Sequence, residues 1–144
     1  MYQSSTVPLP TDRPSAPEAH CLLIIEDERS LLRAFAHAFE RQGYEVLTAG
    51  DVPQALEHWR ARSDAISMIV SDVQMPGPAI EVLIREVREH ARRVPILLMS
   101  GELRGTEERI RALMSSVDGF LAKPLRIDAL RLEVQRHLGS TPSR

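Results

Sequence analysis

Short apolar runs alternate with longer stretches in which apolar residues recur every three or four positions. The runs are Cys21 to Ile25, Tyr44 to Ala49, Ile66 to Val70, Ile96 to Met99 and Gly119 to Ala122. Four of them are near-continuously apolar, the pattern of strands covered on both faces, as in a parallel sheet. The stretches between them predict helices. Leu31, Leu32, Phe35, Ala36 and Phe39 share one face of the first, which stops at Gly43. Asp51 is a candidate N-cap for the second, with Pro53 in its first turn and Ala55, Leu56 and Trp59 inward. Ile80, Leu83, Ile84 and Val87 form the stripe of the third, whose opposite face, with Glu81, Arg85, Arg88 and Glu89, reads as solvated. Ile110, Leu113, Met114 and Val117 are placed inward on the fourth. Ile127, Leu130, Val134 and Leu138 line the fifth, which ends at Gly139. Such alternation predicts one α/β domain, residues 21–139: a doubly wound, flavodoxin-like, five-stranded parallel sheet in the order 2-1-3-4-5, with helices on both faces. Residues 1–20, rich in Pro, Ser and Thr, are expected to be a disordered tail, and residues 140–144 a short polar one.

The breaks in the pattern carry the chemistry. In a parallel sheet all strand carboxyl ends lie on one edge, where open α/β sheets place their ligands. The first strand runs into Glu26 and Asp27, the third into Asp72 before Pro76 and Gly77, the fourth into Ser100, and the fifth into Lys123. Most strand-end aspartates only cap a turn, and each of these residues alone says little. Together they place three carboxylates beside the switch point, with a hydroxyl and an ammonium on the other side of Asp72. Clustered carboxylates are costly without a cation among them. Hard oxygen ligands at a cleft mouth suit Mg²⁺. A metal ion, an ammonium and a hydroxyl together meet the needs of a phosphoryl group, so phosphoryl transfer onto Asp72 is the expected chemistry.

Composition narrows the partners. The chain has 144 residues and a net charge of −2, with no overall basic excess to hold a nucleic-acid backbone. Its single cysteine, Cys21, opens a buried run and precludes an internal disulfide, in keeping with a reducing compartment. No apolar stretch reaches membrane-spanning length, and the N-terminus lacks a signal-peptide pattern. A cytoplasmic location, with neither membrane nor nucleic acid as ligand, is expected. The histidines are scattered, Trp59 reads as core, and Arg92-Arg93 is too short a basic run to suggest nucleic acid.

Glu26-Asp27, the D-x-x-M-P-G segment from Asp72, Met-Ser-Gly around Ser100, and F-L-x-K-P from Phe120 together resemble the receiver domain of two-component response regulators, from about Cys21 to Leu138. The strand order 2-1-3-4-5 is also that family's, so order and resemblance are one expectation. The resemblance implies that Asp72 is the phosphoacceptor, and that Asp27, Asp72 and the Gln74 backbone carbonyl bind Mg²⁺, with Glu26 acting mostly through a coordinated water. It implies that Lys123 contacts the phosphoryl group, that Ser100 senses it, that Phe120 is an aromatic switch, and that the Lys123–Pro124 peptide is cis. Gln74 and Glu102 would influence the phosphoryl lifetime. The implied partners are a sensor histidine kinase or histidine phosphotransfer protein and a downstream protein target. That target would be met through the fourth helix, fifth strand and fifth helix, where Arg104, Glu107, Glu108, Arg111 and Arg131 are candidate contacts. Receivers commonly read M-P-G-M-D-G, whereas here Pro78-Ala79 follow Gly77 directly. No output domain is expected after the fifth helix, and no turnover of an external substrate.

Other readings fit less well. A phosphorylation-independent interaction domain on the same fold would not need the full set of Glu26, Asp27, Asp72, Ser100 and Lys123. An aspartyl phosphohydrolase of the haloacid-dehalogenase type would carry an acid where Gln74 stands. A flavodoxin-like carrier would not place three acids where a flavin phosphate must sit.

Overall fold

The computed structural model describes residues 19–101 and 106–139. In chain order it contains β1 (Cys21–Ile25), α1 (Arg29–Glu40), β2 (Glu45–Ala49), α2 (Val52–Arg62), β3 (Ile66–Asp72), α3 (Ile80–Arg88), β4 (Ile96–Ser100), α4 (Glu107–Ser116), β5 (Gly119–Ala122) and α5 (Ile127–Leu138). The sheet order is β2-β1-β3-β4-β5, with every neighbouring pair parallel. The expected fold class and strand order are those observed.

Alternating strand side chains feed two cores. Leu22, Ile24, Met68, Val70, Leu97 and Met99 pack against Phe35 and Phe39 of α1 and Leu130 and Val134 of α5. Leu23, Ile25, Ile69, Ile96 and Leu98 face Ala55 and Trp59 of α2, Leu83 and Val87 of α3, and Leu113 of α4. The central strands are apolar throughout because both faces are covered. Local signals set the helix ends. Asp51 accepts a hydrogen bond from the Gln54 N–H at 2.9 Å, and Thr106 caps α4 through the Arg109 N–H. Helix α1 runs one residue past its last stripe residue, Phe39, to Glu40, and so ends before the expected stop at Gly43, which follows with φ 99°.

Two expectations are overturned. Met114 is not inward but 51% exposed, because α4 buries only Leu113 fully. The outer face of α3 is not a plain solvated face. Arg88 reaches past the helix to the Ser116 and Val94 carbonyls and the Asp118 carboxylate, and Glu81 pairs with Arg109 of α4. A long arginine stem lies along apolar surface and delivers its head to carbonyls at the strand starts. Residues 1–18 and 140–144, where the two tails were expected, lie outside the described residues, as do Glu102 and Arg104.

Candidate functional site

Three strand ends and one loop build the site. The Glu26 N–H donates to the Ala49 carbonyl and so extends the β1–β2 ladder by one residue, carrying Glu26 to the rim in a fixed backbone. Asp72 is the last residue of β3 and opposes Met99 of β4. By strand alternation it shares a face with Met68 and Val70, toward α1 and α5. The Lys123 N–H donates to the Ser100 carbonyl at 2.8 Å, tying the loop after β5 to the end of β4. The Lys123–Pro124 peptide is cis, as the motif implied.

The side chains converge. One ligand atom from each of Glu26, Asp27 and Asp72 lies within 4.8 Å of the others. The Lys123 ammonium donates to Glu26 Oε1 at 2.9 Å and to Asp72 Oδ2 at 3.1 Å. The Glu28 N–H donates to Glu26 Oε2, and the Gln74 N–H to Asp72 Oδ1 at 3.3 Å. The side chains of Glu26 and Asp72 are only 2% and 10% exposed, whereas Asp27 is exposed. Burial raises the Glu26 carboxyl above its usual pKa, and the Asp72 charge adds to this, against opposing bonds from Lys123 and the Glu28 N–H. For Lys123, burial works against the charged form, but bonds from Glu26 and Asp72 outweigh it and hold the ammonium above its usual pKa.

Ser100 is 3% exposed, and its Oγ has no hydrogen-bond partner among the described residues. A buried hydroxyl left without a partner is uncommon and marks a place where an acceptor fits. Phe120 is half-buried, packs on the α2–α3–α4 side of the sheet and opposes Leu98, two residues before Ser100. A cavity of about 660 Å³ opens onto Asp72, Gln74 and Lys123. Its walls include Leu31 and Phe35 of α1 and Leu125, which sequence reasoning placed only in the core or left unassigned. Periodicity marks such residues as apolar and does not distinguish a cavity wall from a packed interior. A smaller hollow, about 400 Å³, lies between the loop after β3 and Arg109 of α4.

The family model of the response regulator receiver domain matches residues 22–135. The chain belongs to this family. The receiver is 31% identical over 118 residues to regulatory protein AtoC of Escherichia coli, covering 81% of this chain and 25% of that protein. It is likewise 31% identical over 106 residues to the alkaline phosphatase synthesis transcriptional regulatory protein PhoP of Bacillus subtilis, covering 72% of this chain and 42% of PhoP. The receiver thus spans less than half the length of these two relatives. Among solved structures, chemotaxis protein CheY4 of Vibrio cholerae superposes with a TM-score of 0.72 at 27% identity, over 83% of this chain and 98% of CheY4. The receiver domain of the hybrid histidine kinase CckA gives 0.68 at 30% identity, over 82% and 98%. Among the described residues no helix of the receiver is long and apolar enough to cross a membrane.

Proposed function

We propose that this receiver, as a unit of residues 21–139, takes a phosphoryl group onto Asp72 from a phosphohistidine on a sensor kinase or phosphotransfer protein and signals by changing shape. One observation carries the reading. Lys123 bridges Glu26 and Asp72, while the Ser100 hydroxyl, unpartnered among the described residues, waits at the neighbouring strand end. The donor set suits a hard divalent cation: three carboxylates, one exposed to water and two nearly buried. Asp27, Asp72 and the Gln74 carbonyl would hold Mg²⁺, with Glu26 engaged through water. When bound, the ion neutralises charge on the phosphoryl oxygens.

In the transfer, one Asp72 carboxylate oxygen attacks phosphorus. The P–O bond forms as the P–N bond to the donor imidazole breaks, and the imidazole takes a proton from solvent. Lys123 holds the phosphoryl oxygens, and Ser100 donates its hydroxyl proton to one of them. Hydrolysis reverses the modification when water attacks phosphorus, releasing inorganic phosphate and regenerating Asp72. The pull on Ser100 vacates volume that Phe120 fills by turning inward, since a packed interior does not leave a gap open. Helix α4, with exposed Glu107, Glu108 and Arg111, then moves with them, and together with Arg131 of α5 it presents the altered surface to a target protein. A two-state element biased by a few kcal/mol suffices (roughly 3–5 kcal/mol).

Intact-mass analysis after incubation with acetyl phosphate tests the assignment. A single Mg²⁺-dependent phosphoryl adduct is expected, and none in Asp72→Asn. An adduct that persists undiminished in that variant refutes it. No adduct in either protein leaves a phosphorylation-independent interaction domain instead.

A further inference from the structure

Helix α4 is held differently from the other four helices. Helices α1, α2, α3 and α5 each bury two to four side chains, whereas α4 buries Leu113 alone. Polar contacts at its two ends therefore do much of the work of placing it. At the C-terminal end the Arg88 guanidinium of α3 donates to the Ser116 carbonyl at 3.2 Å, and to the Val94 carbonyl and the Asp118 carboxylate at 2.8 Å. Asp118 also accepts from the Ile96 N–H of β4, so this end is tied to the sheet. At the N-terminal end Arg109 donates from Nε to Glu81 Oε2 at 2.6 Å and from Nη2 to Glu81 Oε1 at 2.9 Å, a bidentate pair to the first turn of α3. Among the described residues this is the one side-chain bridge from that end of α4 to another element.

The folding of α4 by itself does not ask for an arginine there. Its first turn already carries Glu107 and Glu108, as the macrodipole favours, and Thr106 caps it through the Arg109 N–H. A guanidinium in the same turn stands against the dipole. Arg109 instead reaches out of its helix to Glu81, and its bonds hold the Glu81 carboxyl below its usual pKa. The hollow of about 400 Å³ lies here, walled by Val73, Met75, Pro76, Gly77, Ala79 and Arg109. The head of α4 thus faces the loop after β3 across open space rather than across packed side chains. That loop runs from Asp72 directly into the turn that carries Glu81.

A bridge inside a rigid body stabilises every state of the protein alike. This one joins α3, with four buried residues, to the helix with a single buried residue, and the proposed signal moves the second. We infer that the Glu81–Arg109 bridge is an autoinhibitory latch, which holds the head of α4 in its unphosphorylated position and must open when Asp72 carries a phosphoryl group. The inference rests on the proposed role of Asp72 and adds the contact that opposes it, with the Arg88–Ser116 tie as the fixed end about which α4 turns. Glu81 and Arg109 are 36% and 35% exposed, so the latch is weak enough to open and shifts the equilibrium by about two- to fivefold. A contact made in only one of two states lowers the affinity of whatever binds the other by the same factor.

The test is calorimetric titration of the Mg²⁺-loaded full chain with beryllofluoride, a phosphoryl stand-in, in the wild type, E81Q, R109Q and the charge-swapped E81R/R109E. Both single variants should bind beryllofluoride about two- to fivefold more tightly than the wild type, and the swap should return the affinity to the wild-type value. Without beryllofluoride, amide exchange over Glu107 to Arg111 should be faster in both single variants than in the wild type. The wild type should reach that faster exchange when beryllofluoride binds. Single variants that melt lower but bind beryllofluoride with wild-type or weaker affinity show a merely structural bridge and overturn the inference. A swap that binds as tightly as the single variants also overturns it, because the charge pair is then not the cause. Either result leaves the phosphoacceptor reading standing, provided the wild type binds beryllofluoride and is labelled by acetyl phosphate. If the wild type does neither, the reading of Asp72 fails and the latch fails with it.

Discussion

Replacing Lys123 by methionine keeps the length of the side chain and removes its charge, leaving the Glu26 and Asp72 carboxylates without their shared counter-ion. The gross attraction lost is large. At 2.9 and 3.1 Å, with an effective dielectric constant near 20, each contact amounts to about 5 kcal/mol. Most of this is offset, because the ammonium no longer has to be desolvated and water enters around a side chain that is 21% exposed. Stranding a buried ion pair's partner costs about 3–5 kcal/mol in practice, and the partial exposure argues for about 3. For a domain of this size that is a fall of about 12 °C in melting temperature, read by calorimetry in EDTA. Burial already raises the Glu26 pKa, so the folded state binds that proton more tightly than the unfolded chain does. Glu26 therefore lowers stability as pH climbs from the ordinary glutamate value to its raised one, and losing Lys123 extends that window upward. The deficit of Lys123→Met should shrink on acidification toward that ordinary value and be full above the window. Mg²⁺ should restore more stability to the variant than to the wild type, since the ion replaces the missing charge. Adding Glu26→Gln should recover much of the loss, giving a coupling term in a double-mutant cycle. A variant that melts within about 2 °C of the wild type in EDTA, or shows no coupling to Glu26→Gln, would refute the view that Lys123 holds the site together.

Ser100→Ala should leave metal-free stability unchanged or raise it by up to about 1 kcal/mol, because the hydroxyl has no partner to lose among the described residues. In the same variant, amide shifts induced by beryllofluoride over Thr106 to Leu125 should be much smaller than in the wild type, and full-sized shifts would exclude Ser100 as the sensor. Asp118 accepts from Arg88, Arg93 and the Ile96 N–H, so Asp118→Asn should cost about 2–4 kcal/mol in urea unfolding. Burial alone would raise the Asp118 carboxyl, but the bonds from Arg93, Ile96 and Arg88 hold it below its usual pKa. Its contribution is therefore present above the ordinary aspartate value and lost as pH falls through the lowered one, so the gap between wild type and variant should close in that acid window.

Fold and rim were legible in the chain because both follow from local rules. Continuous apolar runs such as Leu22–Ile25 and Ile96–Met99 can only be strands covered on both sides, and parallel strands must bring Glu26, Asp72, Ser100 and Lys123 to one edge. What periodicity could not supply is who meets whom. Lys123 and Glu26 are 97 positions apart, and their contact depends on how far the loop after β5 swings across the sheet edge. Arg88 read as one more charge on a solvated face, yet its reach to Asp118 and two carbonyls depends on how α3 lies over β4 and β5. Met114 fell on the apolar side of a helical wheel and is exposed, because α4 touches the sheet along a line narrower than its own apolar stripe. Arg29, Arg33 and Arg41, along and just after α1, stand four and then eight residues apart in the sequence. That no acid comes to meet them among the described residues, while Arg60, Arg62 and Arg109 are each met by one, was decided only by the packing of helices on the sheet. Spacing along a chain is a property of one element, whereas pairing is a property of two, and the angle between them is settled only when the core closes.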